Sequence, residues 1–470
     1  MLFTELRFFV FFAAVFAIVW MLRKNNWRKI VLTGASYVFY GAWDWRFLGL
    51  ILLITAVCYV SGLKVGQDNP NKRERQLWVS LSVIFSLAVL GLFKYFNFFA
   101  DSFADLAHVV GLPVNNVTLG LVLPVGISFY TFQAISYVLD ISRGHIKADR
   151  SALDVMFYIA FFPQLVAGPI VRASDFIPQM ESARKWVDVP VRYCLALFLI
   201  GFLKKACISD NVAQYVDIVF SDASSYDAQT VIAGVFLYGV QIYCDFSGYS
   251  DMAIATAGLL GYNFPKNFDA PYLSPNIQIF WRRWHISLSS WLRDYLYIPL
   301  GGNRKGNGRR YVNLMTTMVL GGLWHGASFN FVIWGALHGF AQITEGFWSK
   351  KIAPLIPSMK IIGALAGTAV TFYWVNLAWI FFRAPDISTS LDMAQTYLTF
   401  SSAGSQTLDF PVWPFLGCLA IAHWLGHRYD ALGAFARLGP NRFAITLGAV
   451  SAVALAFVQL NAAPFIYFQF

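Results

Sequence analysis

Two histidines stand out because their surroundings differ. His285 lies in Phe280-Trp-Arg-Arg-Trp-His285-Ile-Ser-Leu-Ser-Ser-Trp291-Leu-Arg-Asp-Tyr295, and His325 closes the run Gly321-Gly-Leu-Trp-His325-Gly326. A neutral imidazole in a low-dielectric site can take a proton from a hydroxyl or a thiol. Burial lowers its pKa and so preserves the form competent as a base. His325 sits deep in apolar sequence, between glycines that allow close backbone approach. An ionisable group in such a place is a functional hypothesis by default. The competing reading is a helix-packing histidine bonded to a carbonyl. His285 could point into an active-site cavity or be an interfacial residue like its aromatic neighbours. His338, one helix turn beyond Trp334, reads as packing.

The element expected to carry His285 is a helix. At helical spacing Trp281, Trp284, His285, Leu288, Trp291, Leu292 and Tyr295 share one face, with Arg282, Ser289 and Arg293 on the other. That pattern predicts one amphipathic helix lying in a membrane interface or re-entering it. A basic glycine-rich loop, Gly301 to Arg310, follows. It lacks the spacing and the Ser/Thr of a Walker loop. Arg304 and Lys305 could cradle the phosphates of a coenzyme A-like donor, with Trp281 and Trp284 as aromatic contacts, although loop charge alone accounts for the cations. Upstream, Cys244-Asp245-Phe-Ser-Gly-Tyr-Ser-Asp251 reads as a polar turn between two apolar helices, where capping the second helix explains Asp251 about as well as chemistry does.

Composition decides the class. Hydrophobic residues make up 57% of the 470 and charged residues 13%, against about 25% charged in a soluble domain. Several apolar runs approach the ~20 residues that cross a bilayer. The chain is therefore expected to be an all-α polytopic membrane protein, taken as one domain over 1–470. Its net charge of +10 then belongs to cytoplasmic loops and not to a nucleic-acid surface.

Expected spans are Phe8–Leu22, Ile30–Trp43, Phe47–Leu63, Leu77–Phe93 and Leu119–Ile141. The aromatic segment from Lys94 to Val117 is placed at the outer interface. Met156 to Ile170 could cross, or dip in and return at Pro163 and Gly168-Pro169. Val191–Lys205, Val231–Cys244, Tyr311–Leu323, Phe329–Phe347, Ile361–Phe382, Val412–Leu425 and Phe443–Leu460 follow. Basic loops at Arg23–Lys29, Lys64–Gln76, Pro265–Arg310, Lys350-Lys351 and Arg428–Arg442 mark cytoplasmic returns, which puts both termini outside. The five cysteines form no CxxC pair and read as small buried hydrophobes. There is no nucleophile elbow, no HExxH, no dinucleotide fingerprint and no metal-ligand cluster, so hydrolase, metalloprotease and oxidoreductase readings have no support.

Ordered motifs then make the chain recognisable. They are Leu123-Pro-Val-Gly-Ile-Ser128-Phe-Tyr-Thr-Phe132-Gln, Val166-Ala-Gly-Pro-Ile-Val-Arg172, Asp245-Phe-Ser-Gly-Tyr-Ser-Asp251, Asn263-Phe-Pro-Lys-Asn-Phe268, Trp281 to Gly302, Gly322-Leu-Trp-His325-Gly326 and Pro464-Phe-Ile-Tyr467-Phe-Gln-Phe470. Across nearly its whole length the chain resembles the membrane-bound O-acyltransferase family, in its alginate O-acetyltransferase branch. The resemblance implies a ring of tilted helices around a central funnel, with re-entrant or interfacial helices. It matches His325 to the family's near-invariant histidine and His285 to the second, more variable one. It implies a bacterial inner-membrane protein that uses acetyl-CoA as cytoplasmic donor and holds no permanent cofactor or metal. The acetyl group would pass to the outer side, where a periplasmic SGNH-type acetyltransferase completes transfer to an exopolysaccharide. By composition alone the tail around Tyr467 reads as an aromatic belt at the outer interface. The resemblance implies instead that Tyr467 is the acyl carrier, since such a tyrosine serves that role in related acyltransfer systems. An unassisted phenol with a pKa near 10 needs a base, and His325 could supply one. The alternative is a transporter that flips an acylated lipid or sugar without chemistry, although the inverted repeats common in transporters are absent.

Overall fold

The computed structural model describes residues 1–470 except 68–70, 113, 115–117, 149–150, 167, 350–359, 460–464 and 467–470. The described residues are helical, with one isolated bridge between Tyr226 and Gln406 and no strand. The chain is an all-α polytopic membrane protein. Among the described residues four helical stretches are long and apolar enough to cross a bilayer: Asn25–Val65, Lys72–Val109, Ala228–Leu259 and Ile362–Arg383. Contacts divide the chain into two compact units, Met1–Cys194 with Met252–Pro265, and Leu195–Asp251 with Lys266–Phe470.

In the first unit the helices Leu6–Met21, Asn25–Asp44, Leu48–Val65 and Lys72–Leu90 follow the expected apolar runs closely. Lys29 is buried against Asp154 at 2.6 Å, so a cation inside this bundle is paired. Within the aromatic segment placed at the interface, Phe96–Val109 is helical. Through a π turn at Gly91–Tyr95 the fourth helix runs on into Phe96–Val109. Its outward side exposes Leu77, Ile84, Phe99 and Phe103, apolar surface that suits lipid.

The span expected over Leu119–Ile141 is shorter, because helix begins only at Ile127. Gly126 explains the start. Its φ is +74°, and a Cβ there would overlap the carbonyl oxygen of Leu165. Between Met156 and Ile170 the chain does not form one crossing helix. Ala152–Ala160 ends at Phe161, and a short turn Phe162–Leu165 follows. Tyr262 packs edge-on against Phe157 and Phe161 in this unit, at 5.4 and 5.3 Å between ring centres.

The second unit holds both histidines. Three of its helices position the site: Ala228–Leu259, which gives its residues up to Asp251, Gly306–His325, and Phe329–Phe347. Gly306–His325 and Phe329–Phe347 form a close hairpin. A Cβ at Gly322 would overlap the carbonyl oxygen of Phe331, and one at Gly326 would overlap that residue's ring. Glycine supplies the clearance, and the backbones approach where side chains would keep them apart. The polar run Cys244 to Asp251 is not a turn. It lies inside an unbroken helix of 32 residues, so Asp251 caps nothing and instead pairs with Lys204 at 2.7 Å.

Candidate active site

The single amphipathic helix expected around His285 is two short helices, Ile277–Arg283 and Ile286–Leu292, with His285 at the break. Asn276 caps the first by accepting from the Ile279 N–H at 2.9 Å. Trp284 is then extended, and His285 takes φ +42° and ψ 55°. A left-handed residue with a side chain costs about 1–3 kcal/mol unless its surroundings hold it. The segment before it does so. Asp269 N–H donates to the Arg283 carbonyl and Ile286 N–H to the Asn267 carbonyl, both at 2.9 Å. The apolar face read from spacing is real as burial: Trp284, Leu288, Trp291, Leu292 and Tyr295 are all buried. Its partner at Trp284 is protein, where Phe280, Trp379 and Phe268 pack with ring centres 5.0 to 5.6 Å away.

Asn267 decides the state of the imidazole. Its Oδ1 accepts the backbone N–H of Ser287 at 3.2 Å and the Ser287 hydroxyl at 2.9 Å, and its Nδ2 donates to Ser250 Oγ at 3.1 Å. A backbone N–H can only donate, so the amide oxygen must face it. The same oxygen lies 3.2 Å from His285 Nδ1. Nδ1 therefore carries the proton and the lone pair sits on Nε2. His285 lies outside the four long apolar stretches, and burial pulls its pKa from 6.5 down to about 3. It is a neutral, oriented imidazole at any physiological pH.

Trp324 joins the two histidines. Its ring centre is 6.1 Å from His285 and 4.9 Å from His325. His325 is 4% exposed, with Trp334 and Phe382 edge-on at 5.0 and 5.2 Å. Beyond Trp334 lies His338, fully buried, 5.0 Å from the Trp281 ring and 4.7 Å from that of Trp334. The structure thus brings His285, His325 and Trp281 into one aromatic cluster and places Trp284 in its packed wall.

It does not bring in the basic loop. Arg304 and Lys305 are exposed just before the helix whose last residue is His325. At 1.5 Å per residue that helix separates them from the histidine by about 28 Å. Tyr467 lies outside the described residues, as does Lys350-Lys351. Sequence alone singles out neither Asn267 within its motif nor Lys205, whose ammonium lies 2.7 Å from both Asp210 and Asp245 in a buried triad. A lysine closing an apolar run was the available signal.

A model of MBOAT, the membrane-bound O-acyltransferase family, matches residues 142–382, which include both histidines and Asn267. The chain belongs to this family. MBOAT proteins transfer acyl groups to oxygen, so this chain is an O-acyltransferase and the transporter reading falls away. Among its relatives, "Probable alginate O-acetylase AlgI" of Pseudomonas aeruginosa is 40% identical over 402 residues, covering 86% of this chain and 76% of that one. The protein of the same name from Azotobacter vinelandii is 41% identical over 411 residues, with 87% and 80% covered. "Peptidoglycan O-acetyltransferase" of Helicobacter pylori is 37% identical over 392 residues, with 77% and 72% covered. A buried pair of imidazoles is chemically suited to act as a base.

Proposed function

We propose that this MBOAT protein is a membrane O-acetyltransferase that takes acetyl from cytoplasmic acetyl-CoA and relays it across the inner membrane for O-acetylation of an exported polysaccharide such as alginate. Relatives named for alginate and peptidoglycan O-acetylation support the acceptor class. The observation that carries the chemistry is the Asn267–His285 bond, which fixes a neutral imidazole beside Trp324 and His325. His325 acts as general base. It takes the proton of the accepting hydroxyl as that oxygen attacks the thioester carbon, the C–S bond breaks, and the leaving thiolate receives the proton. His285, with its lone pair held on Nε2, orients the donor or shares that proton. The surrounding indoles keep water from the thioester. Arg304 and Lys305, remote and exposed, draw in the donor's phosphates electrostatically. Tyr467 accepts the acetyl group, and a periplasmic SGNH-type acetyltransferase receives it, with both termini on that side.

Purified protein incubated with radiolabelled acetyl-CoA tests the reading. Wild type should release CoA and label the C-terminal peptide. His325→Ala should do neither while still accumulating in the membrane, His285→Ala should be impaired less uniformly, and Tyr467→Phe should fold normally and stay unlabelled. Near-normal transfer by the His325 variant would sink the mechanism.

A further inference from the structure

We propose that the buried Lys205–Asp245 pair is a latch for the chain's own C-terminal tail, seating Phe465 and Ile466 against the wall that carries His285. Lys205 lies in the π turn Leu203–Ser209, and its Nζ is 2.7 Å from Asp210 Oδ1 and 2.7 Å from Asp245 Oδ1. All three side chains are 3% exposed. One ammonium against two carboxylates leaves an excess negative charge in an apolar interior, which is costly unless further donors reach the oxygens. The tail provides one. The backbone N–H of Ile466 donates to Asp245 Oδ2 at 2.8 Å, across 221 positions of sequence. An amide bond to a buried carboxylate is charge-assisted and stronger than one between neutral groups.

The side chains around it agree. Phe465 is fully buried, its ring 4.9 Å from Tyr249 and 6.0 Å from Phe246, and Ile466 is 2% exposed. Asp245 and Tyr249 are four residues apart, on one face of the long helix, so one strip of it offers both a carboxylate and a ring. Phe246 meets the tail on one side and His285 edge-on at 4.6 Å on the other. A continuous path of contact therefore runs from the tail to the imidazole. Asp245 and Lys205 touch no reacting atom, so they are positioning residues. What the latch serves rests on the relay proposed above: Tyr467 follows Ile466, so the latch would hold the near end of the acceptor's tether. The docking itself stands independently of that reading.

Hydrogen–deuterium exchange on the full-length protein tests it, read at the C-terminal peptide. In wild type its amides should exchange at least about tenfold more slowly than in the free peptide. Asp245→Asn removes the charge and should raise the rate several-fold, but it also disturbs the triad. Ile466→Pro deletes the N–H donor together with the buried Ile466 side chain and leaves the triad's side chains unaltered, so Ile466→Ala, which keeps the N–H, is its control and should speed exchange less. The proline variant should speed exchange of the neighbouring tail amides about tenfold, leave Ala228–Leu259 protected, and reduce acetyl transfer in parallel. Tail exchange in Ile466→Pro equal to wild type would overturn the latch. If wild type releases no CoA, the relay falls, while the exchange measurement still reads the docking.

Discussion

One oxygen of Asn267 accepts both the backbone N–H of Ser287 and the ring Nδ1–H of His285, each at 3.2 Å. The fixed donor sets the amide's orientation, and the amide in turn sets the tautomer. The break at His285 and the state of its ring are thus one feature, since the segment that holds the left-handed backbone also binds the side chain.

Asn267→Leu should keep the fold yet lower acetyl transfer about tenfold or more, because the proton is no longer held on Nδ1. Asn267→Asp tests the same bond through pH. A carboxylate beside Nδ1 favours imidazolium and raises the His285 pKa above its native value of about 3. As pH falls through the raised value the ring protonates and loses its lone pair. The variant should therefore gain an acid limb that wild type lacks in that range. Superimposable pH–rate profiles would show that His285 takes no part in the proton's path.

Gly322 and Gly308 lie on the same helix and should respond in opposite ways. A methyl at Gly322 would overlap the Phe331 carbonyl, whereas one at Gly308 meets nothing within 4 Å. Gly322→Ala should cost about 1–3 kcal/mol of stability and displace His325, with activity falling alongside. Gly308→Ala should be neutral or stabilising by up to about 1 kcal/mol. Thermal unfolding in detergent compares the two, and equal midpoints would mean the hairpin tolerates separation.

His338 is fully buried, and among the described residues neither of its ring nitrogens has a hydrogen-bond partner. Unpaired buried polar groups cost about 1–3 kcal/mol each. His338→Phe, which keeps a planar ring among Phe280, Trp281 and Trp334, should unfold at the same temperature or higher and remain active. Loss of activity without loss of stability would assign His338 a chemical role.

What the sequence determined by itself is what depends on local apolar content. The helices Asn25–Asp44, Leu48–Val65 and Phe329–Phe347 lie where hydrophobic runs place them, and glycines beside His325 announced a close backbone approach. The two histidines were legible because an imidazole in apolar sequence has few ordinary reasons to be there. Tertiary structure decided the rest. Helical spacing continues smoothly through His285, and the backbone of Asn267 and Asp269, 16 to 18 residues earlier, holds the left-handed break in place. Polar residues from Cys244 to Asp251 suggest a turn when solvent is their only partner. They remain helical because Lys204 and Lys205, some 40 positions upstream, supply the counter-charges. Pairings at that separation leave no periodicity in the chain, so only the folded structure could reveal them.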